Sequence, residues 1–523
     1  MSVTPAHLRR FRPFALLAVV AALAATLLSS PASAGGSAAA AGSLPCDLYA
    51  AGGTPCVAAH STTRALYSAY NGRLYQVRRA SDGSTRDIGA LSAGGYADAA
   101  AQDSFCAGTS CLITVIYDQS ARGNHLTQAP PGGFQGPAAG GYDNLAEASA
   151  APVTVGGHKA YGVFVAPGTG YRDNSTNGIA TGDQPEGMYA LLDGTHYNGG
   201  CCFDYGNAET NSRDNGNGTM ETIYFGNIKV WGYGTGNGPW VMADLENGLF
   251  SGVNPGYNAN DPSVSHRFLT AVVKGGPNHW AIRAGNAQSG GLSTYYDGPR
   301  PNASGYNPMK KEGAIILGIG GDNSNSSAGT FYEGVMTSGY PSATTENAVQ
   351  ANVNAAGYTT SAVAGAPTPG ARVSLRATTS CCTNSYLRHN SADNNAVIAA
   401  VSASSTSADK AAATWTVRPG LGDASCVSFE SVDKPGQYLR HYDLRLRVDT
   451  LDNGALSRLD ATFCPQAGHN GQGVSLRAAN YPSDFVRHYN YGAYVASHGG
   501  THDWDSTTAW ADDTSWAVTS PWA

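Results

Sequence analysis

Two carboxylates two residues apart are the first feature of this sequence that could do chemistry. In Trp231–Phe250, WGYGTGNGPWVMADLENGLF, a glycine- and aromatic-rich segment leads into Trp240-Val241-Met242-Ala243 and then presents Asp244 and Glu246. On a strand, residues i and i+2 project from one face, so the two acids are expected side by side, with a Trp-lined surface upstream. Like charges held together drive their pKa values apart, which suits acid/base or nucleophilic work. The same spacing also describes a strand end with two solvated acids, and spacing alone favours that plainer reading. A further acid, Asp322, follows the apolar run Ala314–Leu317 and Gly318-Ile319-Gly320-Gly321, glycines that permit close backbone approach. Gly321-Asp322-Asn323 is equally an ordinary turn signature. Asp118, Asp173, Asp204, Asp297 and Glu333 compete for the same role.

Other chemistries find less support. No nucleophile elbow or phosphate loop is present, and His125, His158, His196, His266 and His279 show no spacing that suggests a metal or a catalytic dyad. Elimination leaves carboxylate chemistry in a neutral, aromatic-lined cleft, and cleavage of a glycosidic bond needs such a pair.

The elements that must position these residues follow from composition. A chain of 523 residues exceeds one core, so two or three domains are expected. Only 13% of residues are charged, while Gly (66) and Tyr (28) are plentiful, which suits a turn-rich all-β protein with stacking surfaces. A net charge of −7 supplies no basic face for nucleic acid or anionic membrane.

Arg9, Arg10 and Arg12 precede the apolar run Phe14–Leu28, which ends in Pro31-Ala32-Ser33-Ala34. Residues 1–34 read as a secretory signal peptide, so an exported, extracellular protein is expected. Residues 35–43 form a Gly/Ala/Ser tail. Ten cysteines in an exported chain read as disulfides. Cys46–Cys56 and Cys106–Cys111 are local candidates, and Cys426–Cys464 closes a larger loop. Cys201-Cys202 and Cys381-Cys382 are adjacent pairs, able to form a compact ring with an apolar sulfur face or to pair elsewhere. With no CxxC pair, structural zinc is not expected.

From residue 44 to about 360, short apolar runs alternate with turn clusters: Cys111–Tyr117, Lys159–Val165, Thr222–Phe225, Phe268–Val273 and Ala314–Gly318. This rhythm predicts a β-sandwich, with one helix over Thr344–Ala356 capped by Thr344 or Thr345 and ended by Gly357. Residues 361–370, SAVAGAPTPG, form a linker. Residues 371–523 then repeat a pattern three times. Val373-Ser-Leu-Arg376 leads to Tyr386-Leu-Arg-His389, Val427-Ser-Phe429 to Tyr438-Leu-Arg-His441, and Val474-Ser-Leu-Arg477 to Phe485-Val-Arg-His488. Each copy closes near Trp415, Phe463 or Trp516, and three copies of about 50 residues predict a β-trefoil. Asp460 and Asp513 stand three residues before the closing aromatic in copies two and three, where copy one has Ala412. A His and an Asp per copy could bind sugar hydroxyls or merely brace the fold. The missing acid in copy one favours binding, since bracing should be needed in all three.

Several segments together resemble glycoside hydrolase family 54. They are Pro45-Cys-Asp-Leu-Tyr49, Ile116-Tyr-Asp-Gln-Ser120 with Gly123-Asn-His125, the Cys201-Cys202 pair, Met242-Ala-Asp-Leu-Glu-Asn247 and Gly320-Gly-Asp-Asn323. That family comprises secreted α-L-arabinofuranosidases with a β-sandwich catalytic domain. The C-terminal repeats resemble the family 42 arabinose-binding module. The resemblance runs from about Pro45 to the C-terminus and implies a retaining double displacement. Glu246 would be the nucleophile and Asp322 the general acid/base, their carboxyl groups about 5–5.5 Å apart. It further implies that Asp244, Asn247 and the Gly321 backbone hold the sugar hydroxyls, with Trp231 and the Cys201-Cys202 ring as apolar walls. In the trefoil, His441, Asp443, Leu444 and Asp460 would form one arabinofuranose pocket, and His488, Asn490 and Asp513 another. No binding is expected in copy one, and the pairing of Cys381 and Cys382 falls outside the family pattern.

The expected function is therefore release of terminal α-L-arabinofuranosyl residues from arabinoxylan, arabinan and related plant cell-wall polysaccharides. No cofactor and no metal are implied, and a monomer is expected. Two alternatives stand beside it: a catalytically silent secreted lectin, and the same fold acting on another furanoside. The presence of both Glu246 and Asp322 argues against the lectin.

Overall fold

The computed structural model of the chain describes residues 43–523, apart from Gly108, Ser265, Ala362, Ala364, Ser425, Asn453, Gly471, Pro482, Ser483 and His498. The expected signal peptide lies outside the described residues, as does all but the last residue of the tail.

Strand alternation explains the first β unit. Two large, mainly antiparallel sheets, of nine and ten strands among the described residues, face one another. Met188, Ala190, Leu192, Leu269, Ala271 and Val273 project inward from the first sheet. Tyr205, Ile223, Phe225, Val241, Ala243, Ile315 and Leu317 meet them from the second. Their neighbours point the other way. On the first sheet, Tyr189, Leu191, Val272 and Val335 pack under Val349, Val353 and Ala356 of the helix Ala343–Ala356. On the second sheet, Asp204, Thr222, Tyr224, Met242 and Asp244 alternate with the core residues and so project from the face away from the core.

That helix starts one residue earlier than the sequence suggests. Its N-cap is Ser342, whose Oγ accepts from the Thr345 amide at 3.1 Å, rather than Thr344 or Thr345. Ser342 is extended, with φ −71° and ψ 152°, so it can cap where a helical Thr cannot. Gly357 ends the helix in the left-handed conformation, φ 68°.

The second β unit carries the threefold repeat. Arg372–Ala377, Trp415–Pro419, Val427–Ser431, Phe463–Ala467, Val474–Ala478 and Ser515–Thr519 pair in sequence, and the last returns to the first, closing a six-stranded barrel. Three hairpins, each carrying one Arg-His pair, complete the trefoil. Trp415 and Trp516 are core residues whose Nε1 donates to Leu387 O at 3.1 Å and Val486 O at 3.0 Å. Phe463 fills the equivalent place without a donor. The linker is tied at both ends, by Thr154 Oγ1 to Ser361 Oγ at 3.0 Å and by the Gly370 amide to Val417 O at 2.8 Å. Between the units, the Arg477 guanidinium lies 4.0 Å from the Phe164 ring centre.

Disulfides join Cys46–Cys56, Cys106–Cys111, Cys201–Cys202, Cys381–Cys382 and Cys426–Cys464. The pairing of Cys381 and Cys382 left open above is thus local.

Ser342→Ala should lower unfolding stability by about 1 kcal/mol, read as a shifted denaturant midpoint with unchanged slope.

Candidate active site

A cleft of about 330 Å³ opens on the outer face of the ten-stranded sheet. Cys201, Trp231, Asp244, Glu246, Asn247, Gly321 and Asp322 all line it. The strand Trp240–Asp244 pairs with Glu221–Gly226, placing Asp244 opposite Thr222. Asp322 arrives from the loop that follows the strand Ala314–Leu317, two strands further on.

The sequence places Asp244 and Glu246 on one strand; the structure does not. The strand stops at Asp244, and Glu246 and Asn247 are both left-handed, φ 58° and 53°, in the turn before Leu249. Strand alternation therefore does not govern the pair. A tight turn brings both acids to the cleft instead. The Glu246 amide donates to Asp244 Oδ1 at 3.0 Å, the Leu245 amide to Gly248 O at 3.1 Å, and Tyr306 Oη to Glu246 O at 3.0 Å. Left-handed backbone at a non-glycine residue persists only where surroundings fix it, and these bonds do so. Asp244 and Glu246 are each 7% exposed.

Asp322 is held by its own loop and by two neighbours. The Ser324 amide donates to Asp322 Oδ1 at 2.9 Å, and the Phe134 amide to Asp322 O at 3.1 Å. Buried Asp143 accepts from Asn323 Nδ2 at 3.1 Å and Asn325 Nδ2 at 2.6 Å, anchoring the next three residues. Asn325 also lies in a glycosylation sequon, but its amide is committed to Asp143.

The walls match the sequence expectation only in part. Cys201 faces the cleft, while Cys202 is 1% exposed and packs beneath it against Tyr224, Trp240, Met242 and Leu249. One sulfur of the ring, not both, forms wall. Trp231, 39% exposed, stands at the rim. Asn247 reaches the cleft and donates to Asp214 Oδ1 at 3.2 Å. Of the competing acids, only Asp204 belongs here. Asp297 pairs with His279, Glu333 with Arg64, and Asp118 accepts from the Ala59 amide; Asp173 accepts from that of Ser175.

Charge dominates the site. Burial, then the adjacent Asp244, holds the Asp204 carboxyl well above the usual carboxylate range. Burial, then Asp244 and Glu209, pushes Glu246 strongly up. The cation among these acids is Arg172, buried and pulled down to about 10 by its burial, against which Glu209, Glu246, Asp322 and Asp143 act. Its Nη1 donates to Gly321 O at 2.8 Å and its Nη2 to Glu209 O, so it braces backbone as well as field. The cluster therefore retains protons near neutrality. Among the described residues two groups have the ligand spacing for an ion, Cys201-Cys202-Asp244 and Asp423-Cys426-Cys464, but their sulfurs are in disulfides and offer no thiolate.

Glu209, Asp214, Phe134, Ser324 and Arg172 were not singled out from sequence. Glu209 follows directly on the strand Asp204–Ala208, and two acids bracketing a strand just after Cys201-Cys202 were the available signal.

In the trefoil, His441 Nε2 lies 3.0 Å from Asn480 Oδ1 and 3.3 Å from Asp460 Oδ1, with Arg440 on Asp460 Oδ2 at 2.8 Å and Tyr481 edge-on to the imidazole. His488 Nε2 lies 2.8 Å from Thr379 Oγ1 and 3.5 Å from Asp513, which Arg487 pairs at 3.0 Å. Asp443-Leu444 and Asn490-Tyr491 are left-handed pairs at the matching hairpin turns. Copy one keeps an Arg–acid pair, Arg388 with Asp409 at 2.5 Å, although Ala412 stands at the equivalent position. Its His389 turns to Asp433 instead, at 2.9 Å. Bracing by an acid thus occurs in all three copies, and the absence at Ala412 does not by itself separate binding from bracing.

Gly321 is the closest constraint on the cleft. A Cβ there would stand 2.0 Å from Glu209 Oε2, 2.7 Å from Met220 Sδ and 2.8 Å from Glu246 Oε2. Gly321→Ala should therefore displace Glu246 and lower turnover at this site by about 100-fold or more. The melting temperature should fall as well, since Glu209 and Met220 are fully buried and must shift to admit the Cβ.

The chain is similar to known proteins along most of its length. The model of the α-L-arabinofuranosidase B catalytic domain matches residues 45–359, and that of the α-L-arabinofuranosidase B (AbfB) domain matches residues 375–518. An α-L-arabinofuranosidase of Hypocrea jecorina is 65% identical over 476 residues, 90% of this chain and 95% of that one. A protein of Trichoderma koningii named arabinofuranosidase/B-xylosidase is 64% identical with the same coverage. A solved arabinofuranosidase complexed with arabinofuranosyl-α-1,2-xylobiose superposes with a TM-score of 0.84 at 60% identity, covering 92% of this chain and 100% of its own. The chain belongs to the α-L-arabinofuranosidase B family, glycoside hydrolase family 54.

Proposed function

We propose that this α-L-arabinofuranosidase is a retaining, exo-acting enzyme with Glu246 as nucleophile and Asp322 as general acid/base. The observation that carries the reading is the convergence of both carboxyls on one cleft, Glu246 from the turn after Trp240–Asp244 and Asp322 from the loop after Ala314–Leu317, beside Trp231 and the Cys201 sulfur. A volume of about 330 Å³ lies at the small end of ligand sites and suits a terminal residue better than the middle of a chain.

In this reading Glu246 attacks the anomeric carbon while Asp322 protonates the departing oxygen, giving an arabinosyl ester on Glu246. Asp322, now ionised, takes a proton from water, which attacks the same carbon and returns the carboxylate. Asp244, Asn247 and the Gly321 backbone supply acceptors and donors to the ring hydroxyls. Substrates are arabinofuranosyl side chains of arabinoxylan or arabinan, a class supported by the related structure that binds arabinofuranosyl-α-1,2-xylobiose. The two trefoil pockets, at His441 and His488, would hold further arabinose side chains and raise local substrate concentration. The N-terminal segment supports export.

A second activity is favoured by the relative named arabinofuranosidase/B-xylosidase, and a panel of aryl glycosides including an aryl β-xyloside tests it. Glu246→Gln should lower turnover of an aryl arabinofuranoside by at least about 1,000-fold while retention on insoluble arabinoxylan persists; intact turnover would remove Glu246 from its role. Asp322→Ala should lose far more activity on arabinoxylan than on a 4-nitrophenyl glycoside, whose leaving group needs little protonation. His441→Ala with His488→Ala should weaken retention on arabinoxylan about 10-fold or more and leave kcat on the aryl substrate unchanged.

A further inference from the structure

The acid cluster contains one member that the double displacement leaves without a task. Glu209 is fully buried, and its Oε1 accepts from Thr219 Oγ1 at 2.6 Å. Its Oε2 receives no N–H or hydroxyl donor among the described residues. That oxygen and Glu246 Oε2 converge on one point, 2.0 and 2.8 Å from where a Gly321 side chain would begin. Arg172, the nearby guanidinium, spends its hydrogen bonds on the carbonyls of Gly321 and Glu209 and on Asn174. Two carboxyls this close in a buried site cannot both be ionised, so the pair holds one proton. The groups facing it reinforce this: Asp204, Asp214, Asp244, Asp322 and Tyr306 lie on the Glu246 side, and Arg172 beneath Glu209.

We infer that Glu209 is a positioning residue that keeps the pair's single proton and donates it as a hydrogen bond to the carboxylate of Glu246. This rests on the reading of Glu246 as nucleophile. A neutral Glu209 gives each of its oxygens a partner: Oε1 faces Thr219 Oγ1, whose single hydrogen is shared between it and Gly216 O at 2.7 Å, and the Oε2 hydroxyl donates to Glu246. The proton never leaves Glu209. When Glu246 bonds to the anomeric carbon, the bond to the leaving oxygen breaks and Asp322 supplies the proton that this oxygen gains. Glu209 then donates to the ester. When water attacks, Asp322 takes the water's proton and the electron pair of the breaking bond returns to Glu246, where the Glu209 hydroxyl stabilises it. The arrangement works as an oxyanion donor aimed at a departing carboxylate. It also keeps Glu246 ionised at a place where burial and Asp244 oppose ionisation.

An ionised Glu209 raises the pKa of Glu246 as burial and Asp244 do, whereas a protonated Glu209 donating to it lowers that pKa; weakening the donor therefore moves the acidic limb of kcat/KM to higher pH, and a shift to lower pH overturns the assignment. Glu209→Gln leaves a weaker amide donor and Glu209→Leu leaves none. The expected order of the acidic limb is wild type, then Glu209→Gln, then Glu209→Leu, with a displacement of about one pH unit or more for the last. For Glu209→Leu, kcat on an aryl arabinofuranoside should fall about 100-fold. A merely structural Glu209 would lower the melting temperature and leave the acidic limb in place, and that result overturns the inference. Neutron diffraction of the wild-type protein at neutral pH needs no variant. A deuteron on Glu209 Oε2 directed at Glu246 supports the pair, and its absence there refutes it. Glu246→Gln serves as the control: if that variant turns over normally, the nucleophile assignment fails, whereas an inactive Glu246→Gln beside an unmoved limb in both Glu209 variants defeats the pair alone.

Discussion

Moving a carboxylate out of water is expensive, and this protein gathers five carboxyl groups around one guanidinium on a single face of a sheet. Asp204, Glu209, Asp244, Glu246 and Asp322 all act electrostatically on the same small volume, with Arg172 beneath them. Desolvation of such a group without a partner costs several kcal/mol, so the arrangement persists only because the rest of the fold is rigid enough to hold it. The sandwich core supplies that rigidity. Tyr205, Val241, Ala243, Ile315 and Leu317 lock the inner face of the strands whose outer residues and adjoining loops carry the acids. Core and cleft are two faces of one sheet.

The second requirement is backbone without side chain. Gly321 lets two carboxyls approach its own α-carbon, and the Glu246-Asn247 turn adopts a conformation that glycine would adopt freely but that here carries functional side chains. Strain at Glu246 is held by hydrogen bonds from its own amide and to its own carbonyl, so the side chain is aimed by the main chain.

Much of this was readable before any coordinates. Asp244, Glu246 and Asp322 stand out beside glycines and aromatics, but spacing alone favours a solvated strand end and an ordinary turn, and it is the family resemblance that gives them roles. The trefoil is legible because Arg-His recurs at a fixed distance after each Val-Ser. What escaped was relational. Glu209 carries no motif, and only the pairing of its strand with Ala314–Leu317, together with the return of the Gly321 loop, brings it to Glu246. The turn at Glu246 was hidden because non-glycine residues rarely enter the left-handed region, so strand alternation was the natural expectation there. The Ser342 cap was displaced from its expected site by one turn's geometry, and His389 found an acid, Asp433, that lies outside the repeat pattern.

The hydrogen bond from the Phe134 amide to the Asp322 carbonyl has a meaning for sequence variation. Surface loops ordinarily absorb insertions and deletions because little depends on their length. The segment around Phe134 is exposed, yet its backbone is stitched to Asp322, the residue we propose as acid/base, and the Gly133 amide is stitched to Ser212 O at 2.8 Å. Lengthening it by a residue would shift Asp322 along with the rim. At this rim, then, an exchange of side chains leaves the Asp322 loop in place, whereas a change of length does not.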